Sequence, residues 1–458
     1  MNRRLAALAV LAVAGGCATS QMAAPIDLPP NPAAPSEPRG LGIEGDAIAL
    51  SFSGGGARAA AFSLGVLDGL QTMPDGHGGA LLDHVVLVSG VSGGAITAAY
   101  YGQYGAAGLK DFRAAYLDKD WNEDFHTSPF SPANWLRVFK GGLNGSGHLG
   151  DWLDANLYRG GAMGDLWRPG RPRVLINATD LYTGAPFAFT QPYFDAVCSD
   201  LAGVRIADAV AASMAVPVAF HPVTLKTHPA RCAAPAPDWV ARTDGDRAGA
   251  LLLRVTAGAF ARYRDPAQMR YVHLVDGGVA DNLGLSALMA MHAAAPDKIA
   301  PLTPQDAVRA RRLTFLVVNA EMIRKADWPL TAQGPNGVEA ASAALDDAMD
   351  AGKRGAYDAF AVALRAWERD VRAFRCGLGE ADVIALRGAS EGWRCGDISF
   401  RLDMIGFADL PPAQGDRLGA YATDVSLPAD EIDALIAGGK QAVEENAAAR
   451  DAVLSRDQ

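Results

Sequence analysis

The sequence predicts an α/β fold in which helices cover both faces of a mostly parallel central sheet, a three-layer sandwich, with a largely helical C-terminal extension. Short apolar segments of strand character alternate with helical segments from residue 46 to residue 319, and this alternation is typical of parallel sheets. Half of the residues are hydrophobic and 20% are charged, so the chain can build a large core and differs from disordered proteins.

The predicted elements follow one another in a regular order. The predicted strands are DAIALSFS (46–53), HVVLVSG (84–90), RPRVLINATDL (171–181), GAPFAFT (184–190), YVHLVDGG (271–278) and RLTFLVVNA (312–320). The predicted helices are ARAAAFSLGVLDGL (57–70), GAITAAYYGQYG (94–105), RIADAVAASMAVP (205–217) and LGLSALMAMHAAA (283–295). Strands followed by helices on this scale indicate βαβ units.

The N-terminus resembles a bacterial lipoprotein signal. Two arginines precede an apolar stretch, Leu5 to Ala14, which is too short to span a bilayer. The following AGGC resembles a lipobox whose cysteine, Cys17, carries the lipid anchor, although Ala14 stands where leucine is usual. Residues 1–17 are therefore predicted to be a signal peptide with its anchor, and an ordinary cleaved signal is the alternative. Ala18 in place of Asp favours the outer membrane, so we expect the protein in the cell envelope, facing the periplasm or the cell surface.

Residues flanking the predicted sheet divide into a tether and an extension. Six prolines in residues 18–44 predict an extended tether that is not part of the core. The main domain is predicted over 45–325 and the helical extension over 326–458, with a last amphipathic helix beginning near Pro428. The extension carries an apolar stripe at helical spacing, formed by Tyr357, Phe360, Leu364, Trp367, Val371 and Phe374. This stripe predicts docking onto the main domain, and a dimer seam or a membrane-facing surface are the alternatives.

Charge and cysteine content restrict the partners. A formal net charge of −10 argues against nucleic acid and against attraction to anionic lipid, so membrane contact would depend on the anchor or on an apolar face. Four cysteines besides Cys17 predict two disulfides, for which three pairings exist. Pairing of sequence neighbours gives Cys198–Cys232 and Cys376–Cys395. The sequence contains no CxxC or HExxH motif, so no metal and no cofactor are predicted.

Ser92 is the first candidate catalytic residue. It lies in GVSGG, directly after a predicted strand and before a predicted helix, and Gly-x-Ser-x-Gly at such a turn projects the serine hydroxyl outward. The helix N-terminus that follows favours negative charge nearby. We interpret Ser92 as a nucleophile, and a turn that serves packing or phosphate binding is the alternative.

Two further motifs resemble parts of a hydrolase site. Gly54, Gly55 and Gly56 join the first strand to the first helix, and consecutive glycines let backbone N–H groups converge as an oxyanion hole requires. A phosphate cradle is the alternative, but both the Walker and the dinucleotide fingerprints are incomplete, and Arg58 lies close enough to brace the loop. Asp276 ends a strand before two glycines, a position typical of catalytic carboxylates and also of helix caps.

The three motifs together resemble those of patatin-like phospholipases. GGGAR, GVSGG and DGG occur in the family's order and at comparable distances, and the resemblance extends from Asp46 to Asn319. The segments NATDLYTGAPFAF and AASMAVPVAFHPV also look like family segments. The resemblance implies that Ser92 and Asp276 form a Ser–Asp dyad without histidine, that Gly54–Gly56 supply the oxyanion hole and that Arg58 steadies it. Ala59 departs from the family, which often has glycine there.

The implied function is a lipid acyl hydrolase that acts on phospholipids or other lipid esters through an acyl-enzyme. A lipid acyltransferase with the same dyad and a non-catalytic envelope lipid-binding lipoprotein are the alternatives. A catalytic triad with His292 is the mechanistic alternative, but His292 lies inside a predicted helix. The sequence does not predict an oligomeric state.

Residues 111–158 are rich in aromatic side chains. These aromatics predict either a lid that grips acyl chains or the ordinary packing of an elaborated loop, and they are Trp121, Phe125, Phe130, Trp135, Phe139 and Trp152.

Overall fold

Strands and helices alternate along the chain in a computed structural model that describes residues 23–121, 125, 142–233, 235–245, 250–324 and 326–454. The strands are β1 (Gly45–Phe52), β2 (Val85–Val91), β3 (Arg173–Asp180), β4 (Pro186–Ala188), β5 (Val223–Lys226), β6 (Tyr271–Asp276), β7 (Ala310–Asn319) and β8 (Ser399–Gly406). The helices are α1 (Gly56–Thr72), α2 (Gly93–Tyr104), α3 (Leu109–Phe112), α4 (Ser146–Leu153), α5 (Gln191–Val197), α6 (Ile206–Met214), α7 (Asp238–Gly245), α8 (Leu251–Tyr263), α9 (Gly278–Asp281), α10 (Ser286–Ala294), α11 (Pro304–Arg309), α12 (Gly337–Cys376), α13 (Glu380–Arg387), α14 (Pro412–Gly419), α15 (Ala429–Glu445) and α16 (Ala447–Leu454).

The strands form one sheet in the order β5-β6-β3-β2-β1-β7-β8, with β4 paired to β3. The pairs from β3 to β8 along this order are parallel. By contrast, β4 and β6 run antiparallel to β3, and β5 runs antiparallel to β6. The prediction of a mostly parallel sheet is therefore confirmed, and one edge of the sheet is mixed.

Successive side chains along each strand lie on opposite faces of the sheet and belong to two different cores. On β1, Ile48 and Leu50 belong to the first core, whereas Ala47 and Ala49 belong to the second. Helices α1, α2 and α15 cover the first face, and α10 and α12 cover the second. The predicted three-layer sandwich is confirmed.

The Pro-rich segment was predicted to be an extended tether that is not part of the core. This prediction is wrong for its described part, residues 23–44, which packs onto the domain. Ile26 pairs with β5 through two hydrogen bonds. Ile26 N donates to Thr224 O at 2.8 Å, and Lys226 N donates to Ile26 O at 3.0 Å. Buried Glu37 binds Arg173 Nε at 2.9 Å, and Ile43 is a core residue. Proline prevents regular structure here, but the apolar and acidic residues between the prolines supply these contacts.

The C-terminal region is largely helical, as predicted, and it also completes the sheet. β8 pairs with β7 along its whole length, and α15 begins after Pro428. Helices α15 and α1 approach each other closely, because Gly65 lies against the Ile436 carbonyl and Gly439 lies against the Phe62 carbonyl. A Cβ at either glycine would clash with the facing backbone.

The apolar stripe of α12 docks onto the main domain, which confirms the first of the three alternatives. Phe360, Leu364, Trp367 and Val371 are buried in the second core, and Trp367 Nε1 donates a hydrogen bond to Ile299 O at 3.0 Å. In the described part of the chain, no helix combines the length and the apolar character needed to cross a membrane.

Both disulfides join sequence neighbours. Cys198 bonds to Cys232 and Cys376 bonds to Cys395, with a Cα–Cα distance of 4.8 Å in each pair. This is the pairing expected from sequence proximity.

Trp367→Ala is expected to lower the free energy of unfolding by about 3–5 kcal/mol, because the indole is 2% exposed and fills the second core. Val362 on the same helix is 65% exposed, so Val362→Ala should change the free energy of unfolding by less than about 0.5 kcal/mol. Denaturant unfolding of both variants measures the difference. Equal, small losses for the two variants would contradict the docking of this helix.

Candidate active site

Ser92 occupies a sharp turn between β2 and α2. Its backbone angles, φ 52° and ψ −122°, lie in a region that strains an L side chain. The glycines two positions away are required by space, because a Cβ at Gly90 would lie 2.7 Å from Ala95 Cα and one at Gly94 would lie 2.6 Å from the Phe52 carbonyl oxygen. The predicted strand–serine–helix turn is therefore present.

Two consecutive hydrogen bonds, which were not predicted from the sequence, hold the Ser92 turn in place. Ser92 N donates to Ser213 Oγ at 2.8 Å, and Ser213 Oγ donates to Asn177 O at 2.6 Å. Ser213 lies near the end of α6 and Asn177 lies on β3, so the two hydrogen bonds join the turn to two neighbouring elements. Ser213 stands in the segment AASMAVPVAFHPV, and that segment was the signal available in the sequence.

Asp276 reaches the site from the opposite direction to the one expected. Asp276 was predicted to end a strand of a mostly parallel sheet, but its strand β6 runs antiparallel to β3. In the register, Asp276 pairs with Ala178, and Asn177 pairs with Val91, the residue before Ser92. Because β3 extends past the end of β2, an antiparallel neighbour can end beside the Ser92 turn.

The Asp276 carboxyl group is buried and incompletely hydrogen-bonded. Oδ1 accepts a hydrogen bond from Gly278 N at 2.8 Å, whereas Oδ2 has no partner of full hydrogen-bond geometry among the residues that the structure describes. Burial raises the pKa of Asp276 to about 6 from the ordinary 3.8, against the opposing effects of the Ser92 hydroxyl and the Gly278 N–H. A carboxylate with this pKa is a base at neutral pH.

The glycine loop lies against the Ser92 turn, and its N–H groups are not equivalent. A Cβ at Gly93 would clash with the Gly56 carbonyl, so the two backbones are in contact. Gly54 N donates to Asn282 O at 3.2 Å. The N–H groups of Gly55 and Gly56 have no acceptor in the described ranges, and both residues have positive φ, 142° and 60°. Of the three predicted oxyanion-hole donors, Gly54 is therefore already used by the fold.

Arg58 fixes the helical end of the glycine loop. Its buried guanidinium donates from Nε to Ala320 O at 3.0 Å and from Nη1 to Tyr421 O at 2.7 Å. Burial lowers the pKa of Arg58 to about 10, so the group stays charged at neutral pH. The neighbouring Ala57 N donates to Asp424 O at 2.7 Å. The loop is thus anchored on residues after β7 and in the C-terminal region.

Asn282 is a further residue that the sequence analysis did not single out. Its side chain lies between Gly54 and Gly278, and a Cβ at either glycine would clash with Oδ1. The preceding Asp281 accepts backbone N–H groups from the start of α10, among them Leu285 N at 2.7 Å. The only sequence signal was the position of Asn282 in DGGVADN.

His292 does not join the candidate dyad. Its Nε2 lies 3.5 Å from Asp370 Oδ2, and its ring contacts Trp367, so it packs against α12. Across the described residues, no group of three or more His, Cys, Asp or Glu side chains is arranged to hold a metal ion.

Three of the aromatics considered for a lid are packed in the interior. Trp121 is buried and lies 4.1 Å from Trp152 and 5.0 Å from Phe125, measured between ring centroids. For these three residues, the structure supports the ordinary packing of an elaborated loop rather than a lid. The other three, Phe130, Trp135 and Phe139, lie outside the described residues.

Asp276→Asn is expected to stabilise the protein at about pH 8. The pKa of Asp276 is about 6 in the folded chain, compared with the ordinary 3.8, and this difference lowers the free energy of unfolding by about 3 kcal/mol when the carboxyl group is ionised. Asparagine does not ionise, and it keeps an oxygen that accepts a hydrogen bond from Gly278 N. This loss of stability is complete above the folded pKa and disappears as the pH falls from about 6 towards 3.8. The stability that Asp276→Asn gains over the unaltered chain should therefore become small by about pH 4. Denaturant unfolding at the two pH values measures it. Equal or lower stability of the variant at the higher pH would contradict the raised pKa.

The chain is similar to known proteins both in a sequence family and among solved structures. The sequence model of the patatin-like phospholipase family matches residues 50–289, more than half of the chain. Among solved structures, human GIVD cytosolic phospholipase A2 is similar with 12% identity and a TM-score of 0.39, over 90% of this chain and 63% of that one. VipD from Legionella pneumophila is similar with 14% identity and a TM-score of 0.31, over 88% of this chain and 67% of that one.

The chain thus spans less than two thirds of the length of the human protein. A comparison with curated protein sequences gave no match. Because the family model covers more than half of the chain and includes the glycine loop, Ser92 and Asp276, this chain belongs to the patatin-like phospholipase family.

Proposed function

We propose that the protein is a lipid acyl hydrolase that cleaves carboxylic esters of phospholipids or related lipids with Ser92 as nucleophile and Asp276 as base. Membership of the patatin-like phospholipase family supports lipid hydrolysis in general. The observation that carries the finer proposal is the buried Asp276 carboxyl group, with a pKa raised to about 6, next to the strained Ser92 turn.

In the first half-reaction, Ser92 Oγ forms a bond to the ester carbonyl carbon while its proton passes to the Asp276 carboxylate. Oδ2, which has no partner of full hydrogen-bond geometry among the described residues, is the oxygen suited to take this proton, because Oδ1 already accepts from Gly278 N. The tetrahedral intermediate then collapses, the bond to the leaving alcohol breaks, and Asp276 returns the proton to that alcohol.

The developing oxyanion needs preorganised donors. The N–H groups of Gly55 and Gly56, which have no acceptor in the part of the chain that the structure describes, are suited to this role, whereas Gly54 N donates to Asn282 O. Ser92 also precedes the N-terminus of α2, which favours negative charge. The contacts of Arg58 with Ala320 and Tyr421 keep the loop in place.

In the second half-reaction, water attacks the acyl-enzyme and gives its proton to Asp276, and the Ser92 oxygen leaves with that proton as the fatty acid is released. Each proton that Asp276 accepts is returned within the same half-reaction. The cycle therefore ends with the starting protonation state.

Anchoring in the cell envelope is part of the proposal. The signal sequence and Cys17 lie outside the described residues, so lipidation at Cys17 stays a prediction from the sequence. An envelope anchor would bring a lipid hydrolase to its substrate.

Ser92→Ala and Asp276→Asn should each lower kcat/KM on a phospholipid ester by at least about a thousandfold, because each removes a group that acts in the transition state. Release of fatty acid measures the loss, and an added alcohol acceptor separates hydrolysis from acyl transfer. A serine-reactive fluorophosphonate, located by peptide mass, should label Ser92 in the unaltered chain and label it slowly in Asp276→Asn.

His292→Gln is the matched control, because His292 pairs with Asp370 on α12. It should leave both hydrolysis and labelling unchanged. Unchanged hydrolysis in Ser92→Ala, or loss of labelling in His292→Gln, would overturn the proposed dyad.

A further inference from the structure

Three segments beside the candidate dyad expose apolar side chains, namely the loop after β3, the loop after α6 and the short helix α9. Among the residues that the structure describes, eleven large hydrophobic side chains are exposed, and five of them lie on these segments. We call these five residues the apolar rim: Leu181, Tyr182, Val216, Val218 and Val279. Single exposed apolar residues are ordinary, but a concentration at one site marks an interaction surface.

Hydrogen bonds of the residues next to each segment of the apolar rim lead to the Asp276 turn. Asp276 N donates to Ala215 O at 3.0 Å, next to Val216. Thr179 Oγ1 donates to Asp276 O at 2.9 Å and accepts from Ala280 N at 3.2 Å, which connects the loop after β3 to the residues around Val279. These hydrogen bonds place the segments that carry the apolar rim next to the Asp276 turn.

Val218 is strained as well as exposed. Its φ is 76°, a conformation that a β-branched residue rarely adopts, and its side chain is 59% exposed. A glycine would relieve this strain, and the exposed valine gains little by packing in the folded chain. Strain of this kind is typical of functional positions.

The charge of these segments indicates the kind of partner. The exposed residues of segments 181–184, 216–218 and 279–280 carry no charge, and the whole chain has a formal net charge of −10. An anionic lipid surface would be repelled by the chain, whereas the surface of a zwitterionic lipid aggregate offers apolar tails without a repelling net charge.

We propose that the apolar rim inserts into the surface of zwitterionic lipid aggregates and so brings the Ser92–Asp276 turn against the lipid esters. The choice of lipid as the partner rests on the proposed function. Insertion itself requires no catalysis, so the two proposals can fail separately.

The direct test uses the full chain with Cys17→Ser and Ser92→Ala, which removes the lipid anchor and prevents degradation of the vesicles. An environment-sensitive fluorophore is attached at Val218→Cys or, as the matched control, at Leu330→Cys, where the native side chain is 85% exposed. The four remaining cysteines are held in disulfides. With phosphatidylcholine vesicles, we expect a blue shift and quenching by spin-labelled acyl chains at position 218 and neither effect at position 330.

Four outcomes would overturn the proposal. The probe at 218 could stay in water while the protein is bound, or both probes could respond equally, as in unspecific adsorption. A shift at 218 that depends on protein concentration without lipid would instead mark a self-association face. Loss of binding in high salt would also contradict an uncharged contact.

A kinetic test uses the active chain with Cys17→Ser. Val218→Gly should lower hydrolysis of vesicle phospholipid, relative to a soluble monomeric ester, by about tenfold, because one apolar side chain no longer enters the lipid. Leu330→Ser should leave this ratio unchanged, and an unchanged ratio in Val218→Gly would overturn the role of Val218. If neither substrate is hydrolysed, the proposed function fails while the fluorescence test still decides the insertion.

Discussion

The burial of the Asp276 carboxyl group beside Ser92 is the constraint around which the candidate site is arranged. A buried carboxylate is unstable unless it is compensated, and among the described residues a single backbone N–H, from Gly278, binds one of its oxygens. The other oxygen is left for the Ser92 side chain, and the pKa of the group is raised to about 6. This arrangement lowers the stability of the folded chain at this position, and it gives the carboxylate the basicity that the proposed mechanism requires.

Long-range hydrogen bonds keep this arrangement in place. The Ser213 hydroxyl joins the strained Ser92 turn to β3, and the Asn282 carbonyl holds Gly54. Arg58 reaches the carbonyls of Ala320 and Tyr421, which lie beyond the segment that the family model matches. The C-terminal region is therefore part of the support of the glycine loop, and its helix α15 packs directly on α1.

The sequence predicted the parts of the fold that depend on local pattern. Strand and helix alternation, the docking stripe around Trp367 and the turn at Ser92 follow from periodicity and from glycine placement, and all are present. Features that depend on contacts far apart in sequence were missed. The antiparallel direction of β6, the packing of Glu37 on Arg173, and the Ser213 contact have no local signature, because each depends on where a distant segment lies.

The pKa of Asp276 tests the central claim most directly. Carbon-13 NMR of aspartate carboxyl groups in the full chain follows the titration, and the Asp276 signal is identified by its absence in Asp276→Asn. We expect a pKa near 6, and a higher value in Ser92→Ala, because the serine hydroxyl lowers the pKa of the carboxyl group. A pKa near the ordinary 3.8, unchanged by Ser92→Ala, would contradict a basic carboxylate beside the proposed nucleophile.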